Sequence, residues 1–101
     1  MIIVHAEMPI NPAKKAEVES RGAEFAATCR AEEGAVDYQL SWKFGEPATL
    51  QLVEHWDTLE AYKTHTTQPH VHDWAAWIPG QAAGALEVGR YHVEPVEPQG
   101  F

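Results

Sequence analysis

The stretch "AVDYQLSWKFGEPATLQLVEHW" (Ala35–Trp56) decides the fold. Its first arm alternates. Val36, Tyr38, Leu40, Trp42 and Phe44 share one face, and Asp37, Gln39, Ser41 and Lys43 the other, the period-two signature of a strand. "GEPA" (Gly45–Ala48) carries turn residues. "TLQLVEHW" (Thr49–Trp56) then returns as the second arm of a hairpin, with Leu50, Leu52, Glu54 and Trp56 on one face and His55 on the opposite one.

Working outward, "IIVHAEM" (Ile2–Met8) places Ile2, Val4, Ala6 and Met8 on one face and Ile3, His5 and Glu7 on the other, a strand covered at least partly on both sides. Pro9 is expected to end its pairing. Asn11 is a good cap and Pro12 suits a first helical position, so a helix is expected to about Arg30, with Val18, Gly22, Phe25, Ala26 and Cys29 on its inner stripe. Gly22 on that stripe implies close approach to the sheet, and Gly34 breaks the chain direction. Beyond the hairpin, "DTLEAYKTH" is helical in composition, with Asp57 or Thr58 as cap. "TTQPHVHDWAAWI" restarts a helix, with Thr67 as its cap before Pro69. A "PGQAAG" loop and a last strand in "ALEVGRYHVEP" follow. The order β-α-β-β-α-β, with the second helix broken, defines a ferredoxin-like α+β fold. Residues 1–94 form the domain and 95–101 a Pro- and Gly-rich tail, frayed or laid on a partner. Helices on one face leave the other bare, and its apolar residues call for a second subunit.

With 101 residues the chain is one domain, and 45% hydrophobic and 22% charged residues place it among globular proteins. A net charge of −8, with seven scattered Lys and Arg, excludes nucleic acid and anionic membranes as partners. A single cysteine excludes an internal disulfide and a paired-thiol zinc site. "MIIVHAEMP" has neither the basic start nor the length of a leader or membrane span. The cytoplasm is the expected location.

"EHWDTLEAYKTHTTQPHVHDW" resembles the antibiotic biosynthesis monooxygenase domain family, which includes small quinol-monooxygenase-like proteins. The family's Glu-x-Trp at the end of the third strand falls on Glu54 and Trp56. Its helix-closing His falls on His65, and its Pro-His step on Pro69 and His70. "EEGAVDYQL" is similar to the family's turn into a Tyr-bearing strand, with Gly34 and Tyr38, and "MIIVHAEMPINPAKKAEV" to its first strand and helix. The likeness spans about the first ninety residues. It implies a dimeric α+β barrel, hence a homodimer with a pocket between helices and sheet in each subunit. Members of the family oxygenate phenols or anthrones without metal or flavin, isomerise small keto compounds, or degrade haem. The haem-degrading branch needs an Asn on the first strand, a Trp at the helix end and a His further along. Here the first strand has no Asn, the helix end carries His65, and the last position falls near Ala75. Haem is therefore not expected.

Four of the six histidines lie between Val53 and Trp74. As metal ligands they fit poorly: His70 and His72 point about 200° apart on a continuous helix. No carboxylate or thiol at the usual spacings completes a set. No metal and no cofactor is expected. As pocket bases, His65 and His70 flank one turn, and His70, Trp74 and Trp77 share a helical face. If that face meets Tyr38, Trp42, Glu54 and Trp56, an aromatic-walled cavity results. The same tryptophans also suit a plain core, and Glu54 could simply pair with a neighbouring backbone or Arg90. His5, His55 and His92 are expected together on the other face, near a subunit interface, with His5 a candidate for ligand contact. His72 is expected in solvent, and Cys29 as a small hydrophobe.

The reading is a cofactor-independent monooxygenase acting with dioxygen on a small phenol, quinol or anthrone-like substrate. His65 or His70 is the base, Glu54 orients, and Trp56, Tyr38, Trp42, Trp74, Trp77 and His5 line the site. An isomerase or lyase using the same base, and a non-catalytic dimeric binder of a small molecule, are the alternatives.

Overall fold

Strand β1 (Ile2–Pro9), helix α1 (Lys15–Arg30), strands β2 (Ala35–Trp42) and β3 (Thr49–Trp56), helices α2 (Leu59–His65) and α3 (Pro69–Trp77) and strand β4 (Glu87–His92) succeed one another in the computed structural model, which describes residues 1–100. The strands form one antiparallel sheet in the order β2-β3-β1-β4. This is the ferredoxin-like α+β arrangement that the central hairpin implied.

On β1 the inner residues Ile2, Val4, Ala6 and Met8 are all buried, whereas His5 is exposed and Ile3 and Glu7 half-buried. The helices cover the inner face. Val18, Gly22, Phe25, Ala26 and Cys29 of α1 are its buried residues, spaced as one helical stripe. Phe25, Ala26 and Cys29 join Ile2, Val4, Tyr38 and Trp56 in one core cluster, and Met8, Ile10, Val18, Leu50 and Ile78 form a second. Gly22 permits this contact, since a Cβ there would lie 3.2 Å from Leu40 Cδ1 and 3.5 Å from the Trp74 ring.

The local signals act largely as read. Asn11 Oδ1 accepts from the Ala13 amide at 3.0 Å, opening a short 3₁₀ turn that runs into α1. Thr58 Oγ1 accepts from the Ala61 amide at 3.1 Å and caps α2. Four expectations are corrected. Pro9 does not end pairing: it lies opposite Thr49, and its carbonyl accepts from Ala83 N at 2.8 Å, because proline lacks only the donor. Val36 leaves the inner face at a register shift between Ala35 and Asp37, and Phe44 projects fully into solvent from the turn. Gln68, not Thr67, precedes α3 as its cap residue. The Thr67 hydroxyl instead donates back to Thr64 O at 2.7 Å. Finally, His92 pairs with Ile2, so it shares the helix-facing side rather than the face of His5 and His55.

Residues 93–100 contain no helix or strand; Phe101, the last residue of the expected tail, lies outside the described residues.

Gly34 has φ +82°, and a Cβ there would stand 2.5 Å from Ala61 Cβ and 2.7 Å from Asp57 Oδ1. Gly34→Ala therefore combines left-handed strain with overlap. It is expected to cost about 2–4 kcal/mol in urea unfolding.

Candidate functional site

Between the inner sheet face and the helices lies a cavity of about 510 Å³. Val4, Ala6, Leu40, Leu50 and Leu52 form its floor, and Phe25, Val71, Trp74 and Ile78 its roof. Leu86 and Val88, both exposed, stand at its β4 side. Its few polar groups include Tyr38, Glu54, His65 and Arg90. An apolar hollow with a few convergent polar groups is the usual form of a small-molecule site.

The chain places these polar groups by simple means. Glu54 lies on β3, opposite Tyr38 of β2 and Val4 of β1, so strand alternation turns its carboxylate inward among apolar side chains. Trp56, two residues on and fully buried, donates its indole N–H to Glu54 Oε1 at 2.9 Å. His65 closes α2, and its ring packs 4.5 Å from Trp56 and 5.5 Å from Tyr38 between centroids. His65 is only 3% exposed. Its Nδ1 lies 2.8 Å from Glu32 Oε2, and its Nε2 lies 3.5 Å from Glu54 Oε1. His70, in the first turn of α3, brings its Nε2 to 2.9 Å from the same Glu32 oxygen.

Burial governs the titration of this region. It pushes the Glu54 carboxyl above the usual carboxylate range, while the Trp56 hydrogen bond and the His65 and Arg90 charges pull the other way and the Glu32 charge adds to the rise. Burial likewise pushes the Cys29 thiol up to about 12, reinforced by the nearby Glu32 and Glu54 charges. The Tyr38 phenol is raised by the same causes.

Of the residues singled out in the sequence, Tyr38, Glu54, His65 and Trp74 line the cavity, and Trp56 stands behind it, holding Glu54. His70 sits one step back, on Glu32. Trp42 faces away: its indole donates to Glu19 Oε1 at 2.7 Å, and Lys15 lies over its ring. Trp77 packs on Trp74 and carries the Arg21 guanidinium 3.9 Å above its ring. His5 is exposed on the outer sheet face. His72 is also exposed, near Thr66 O. Arg90 donates not to Glu54 but to the Tyr62 hydroxyl, at 2.7 Å.

Spacing alone missed Glu32. It follows α1 in sequence, more than thirty residues before His65, and no local pattern links the two. The same fold overturns the expectation that neither carboxylate nor thiol converges with the histidines. Cys29, Glu32, His65 and His70 each bring one donor atom, and all four atoms lie within 4.8 Å of one another.

The comparisons agree with this architecture. The antibiotic biosynthesis monooxygenase family model matches residues 1–77, and the chain belongs to that family. It is 33% identical over 76 residues to the Bacillus subtilis (strain 168) protein YcnE, named as a candidate monooxygenase, covering 75% of this chain and 80% of that one. It is also similar to a crystal structure of a candidate antibiotic biosynthesis monooxygenase from Caulobacter crescentus, with TM-score 0.84 and 28% identity over 92% of this chain and 90% of that one. A Deinococcus radiodurans structure named in the same way gives TM-score 0.88 at 24% identity, covering 99% of this chain and 100% of that one, and shows the shared fold. No helix among the described residues is long and apolar enough to cross a membrane.

A carboxyl raised in the folded state favours folding only while it is protonated. Its contribution is complete below the ordinary glutamate value, about 4.3, and is lost as pH rises through the folded value. Glu54→Gln keeps an acceptor for Trp56 and cannot ionise. Urea unfolding with chelator present is expected to give equal stabilities near pH 4, and a variant increasingly more stable than wild type toward neutral pH.

Proposed function

We propose that the protein is a cofactor-independent monooxygenase that oxidises a small, electron-rich phenol, quinol or anthrone-like compound with dioxygen. The observation that carries the reading is the placement of His65, an imidazole on the wall of an apolar cavity with a carboxylate at Nδ1. Glu32 requires a donor at Nδ1, so the hydrogen sits there and the Nε2 lone pair is left on the Glu54 side. A histidine in that tautomer presents an unprotonated ring nitrogen, the form a general base takes.

In this mechanism the substrate ring packs among Phe25, Tyr38 and Trp74, and His65 Nε2 removes its acidic proton. Glu54, held by Trp56, orients a substrate hydroxyl or carbonyl. The resulting anion passes one electron to dioxygen, and the radical and superoxide combine at carbon. The peroxide takes back a proton and collapses, so that a ring CH2 and O2 become a carbonyl and water. The apolar walls exclude water while leaving dioxygen access. His70 and Glu32 act through His65, as positioning residues. Trp42, Trp77 and His5 take no part in this scheme.

The site is proposed to work within a homodimer. Ile3, Val53 and Tyr91 lie on the uncovered sheet face, with Val53 and Tyr91 39% and 57% exposed. A second copy would cover them. Sedimentation equilibrium is expected to show a dimer that Val53→Glu converts to monomer.

Oxygen consumption tests the chemistry, with metal-stripped protein against naphthohydroquinones and anthrones and a buffer blank for autoxidation. Uptake above the blank is expected, reduced about 100-fold or more in His65→Ala and less in His70→Ala. Proton exchange or isomerisation of a keto substrate without oxygen uptake would replace this reading with the isomerase. Ligand binding without either reaction would leave a binding protein.

A further inference from the structure

We infer that Cys29, Glu32, His65 and His70 form a binding site for one divalent transition metal ion of the zinc type, placed where the ends of α1 and α2 meet the first turn of α3. The four donors arrive as two short clips, Cys-x-x-Glu and His-x4-His. Those spacings are the ones by which structural zinc sites gather their ligands, with a carboxylate in place of a second thiolate. Tetrahedral coordination with bonds of about 2.0–2.3 Å sets donors about 3.3–3.8 Å apart. Here two contacts, at 2.8 and 2.9 Å, lie inside that spacing, and all four donor atoms lie within 4.8 Å of one another. Side-chain shifts of order 1 Å therefore suffice to admit an ion.

The chemistry of the set selects the ion. A thiolate and two imidazoles favour zinc, cobalt or copper over calcium and magnesium, which take oxygen ligands. Thiolate and carboxylate together balance a 2+ charge. A metal-bound histidine commonly turns its other nitrogen to a carboxylate, and the Nε2 of His65 already faces Glu54 at 3.5 Å. Cys29 and His65 are buried, whereas the His70 side chain is 26% exposed, so an ion enters past His70. The site stands on geometry, independently of the oxygenase reading. One corollary rests on that reading: an ion on Nδ1 of His65 leaves the proton on Nε2, and the loaded protein then lacks its base.

Cobalt(II) reports on such a site directly. The metal-stripped, full-length protein is titrated with Co2+ without air, following absorption. One equivalent is expected to produce visible bands of tetrahedral intensity together with near-ultraviolet thiolate-to-cobalt charge transfer, both erased by Zn2+. Cys29→Ser is expected to lose the charge-transfer band. His70→Ala, which alters a partly exposed side chain, is expected to keep the fold by circular dichroism and bind Co2+ at least about tenfold more weakly. A folded wild-type protein without charge transfer overturns the proposal, as does undiminished binding by His70→Ala. Oxygen uptake plays no part in these readouts, so a failed oxygenase assay leaves them intact.

Discussion

A single carboxylate oxygen, Oε2 of Glu32, receives an imidazole nitrogen from the end of α2 and another from the start of α3. The turn after α1 is thereby drawn to a point more than thirty residues further along the chain, where the end of α2 meets the start of α3. Pro69 lacks an amide hydrogen and sits at the first position of α3, which makes this break a natural place for two helices to meet at an angle. With the second helical segment in two pieces, His65 and His70 converge on one acceptor. A continuous helix would turn residues five apart to opposite sides.

The second constraint is the cost of burying Glu54. An ionised carboxylate among apolar walls is unfavourable unless donors surround it. The protein supplies one firm donor, the indole of Trp56, and one imidazole within reach, that of His65. The carboxyl is left with a raised affinity for its proton. Neighbouring groups whose proton affinities are set by burial and by partners are a common property of reactive pockets. Here Tyr38, Glu54 and His65 lie on the buried side of the cavity, and the β4 side is exposed, with Leu86, Val88 and Arg90 along it. A substrate entering from that side meets Glu54 and His65 last.

Aromatic packing ties the two constraints together. Phe25 of α1 stacks flat on Trp74 of α3 at 4.5 Å and meets Tyr38 of β2 edge-on at 5.6 Å. One residue therefore joins α1 and α3 to the sheet and forms part of the cavity roof. The core does have a hole in it, so core and pocket are compatible roles for these rings. Trp42 and Trp77 took the other path. Each has its ring covered by a cation of α1, Lys15 or Arg21, at the edge of the layer.

Period-two alternation in Ala35–Trp56, the proline and glycine punctuation and the stripe of α1 determined the ferredoxin-like fold in sequence, because each is a local consequence of backbone geometry and burial. They also placed Tyr38, Glu54 and Trp56 on one inward face, and the Glu-x-Trp and Pro-His steps carried the family. Tertiary structure decided what local pattern cannot encode. The bulge at Val36 changed a face through a single inserted residue, and antiparallel register put His92 on the side of Ile2. Most of all, the packing of α1 against the α2–α3 break brought Glu32 and Cys29 to the histidines. That meeting depends on contacts spanning more than thirty residues, which no spacing within a helix or strand records.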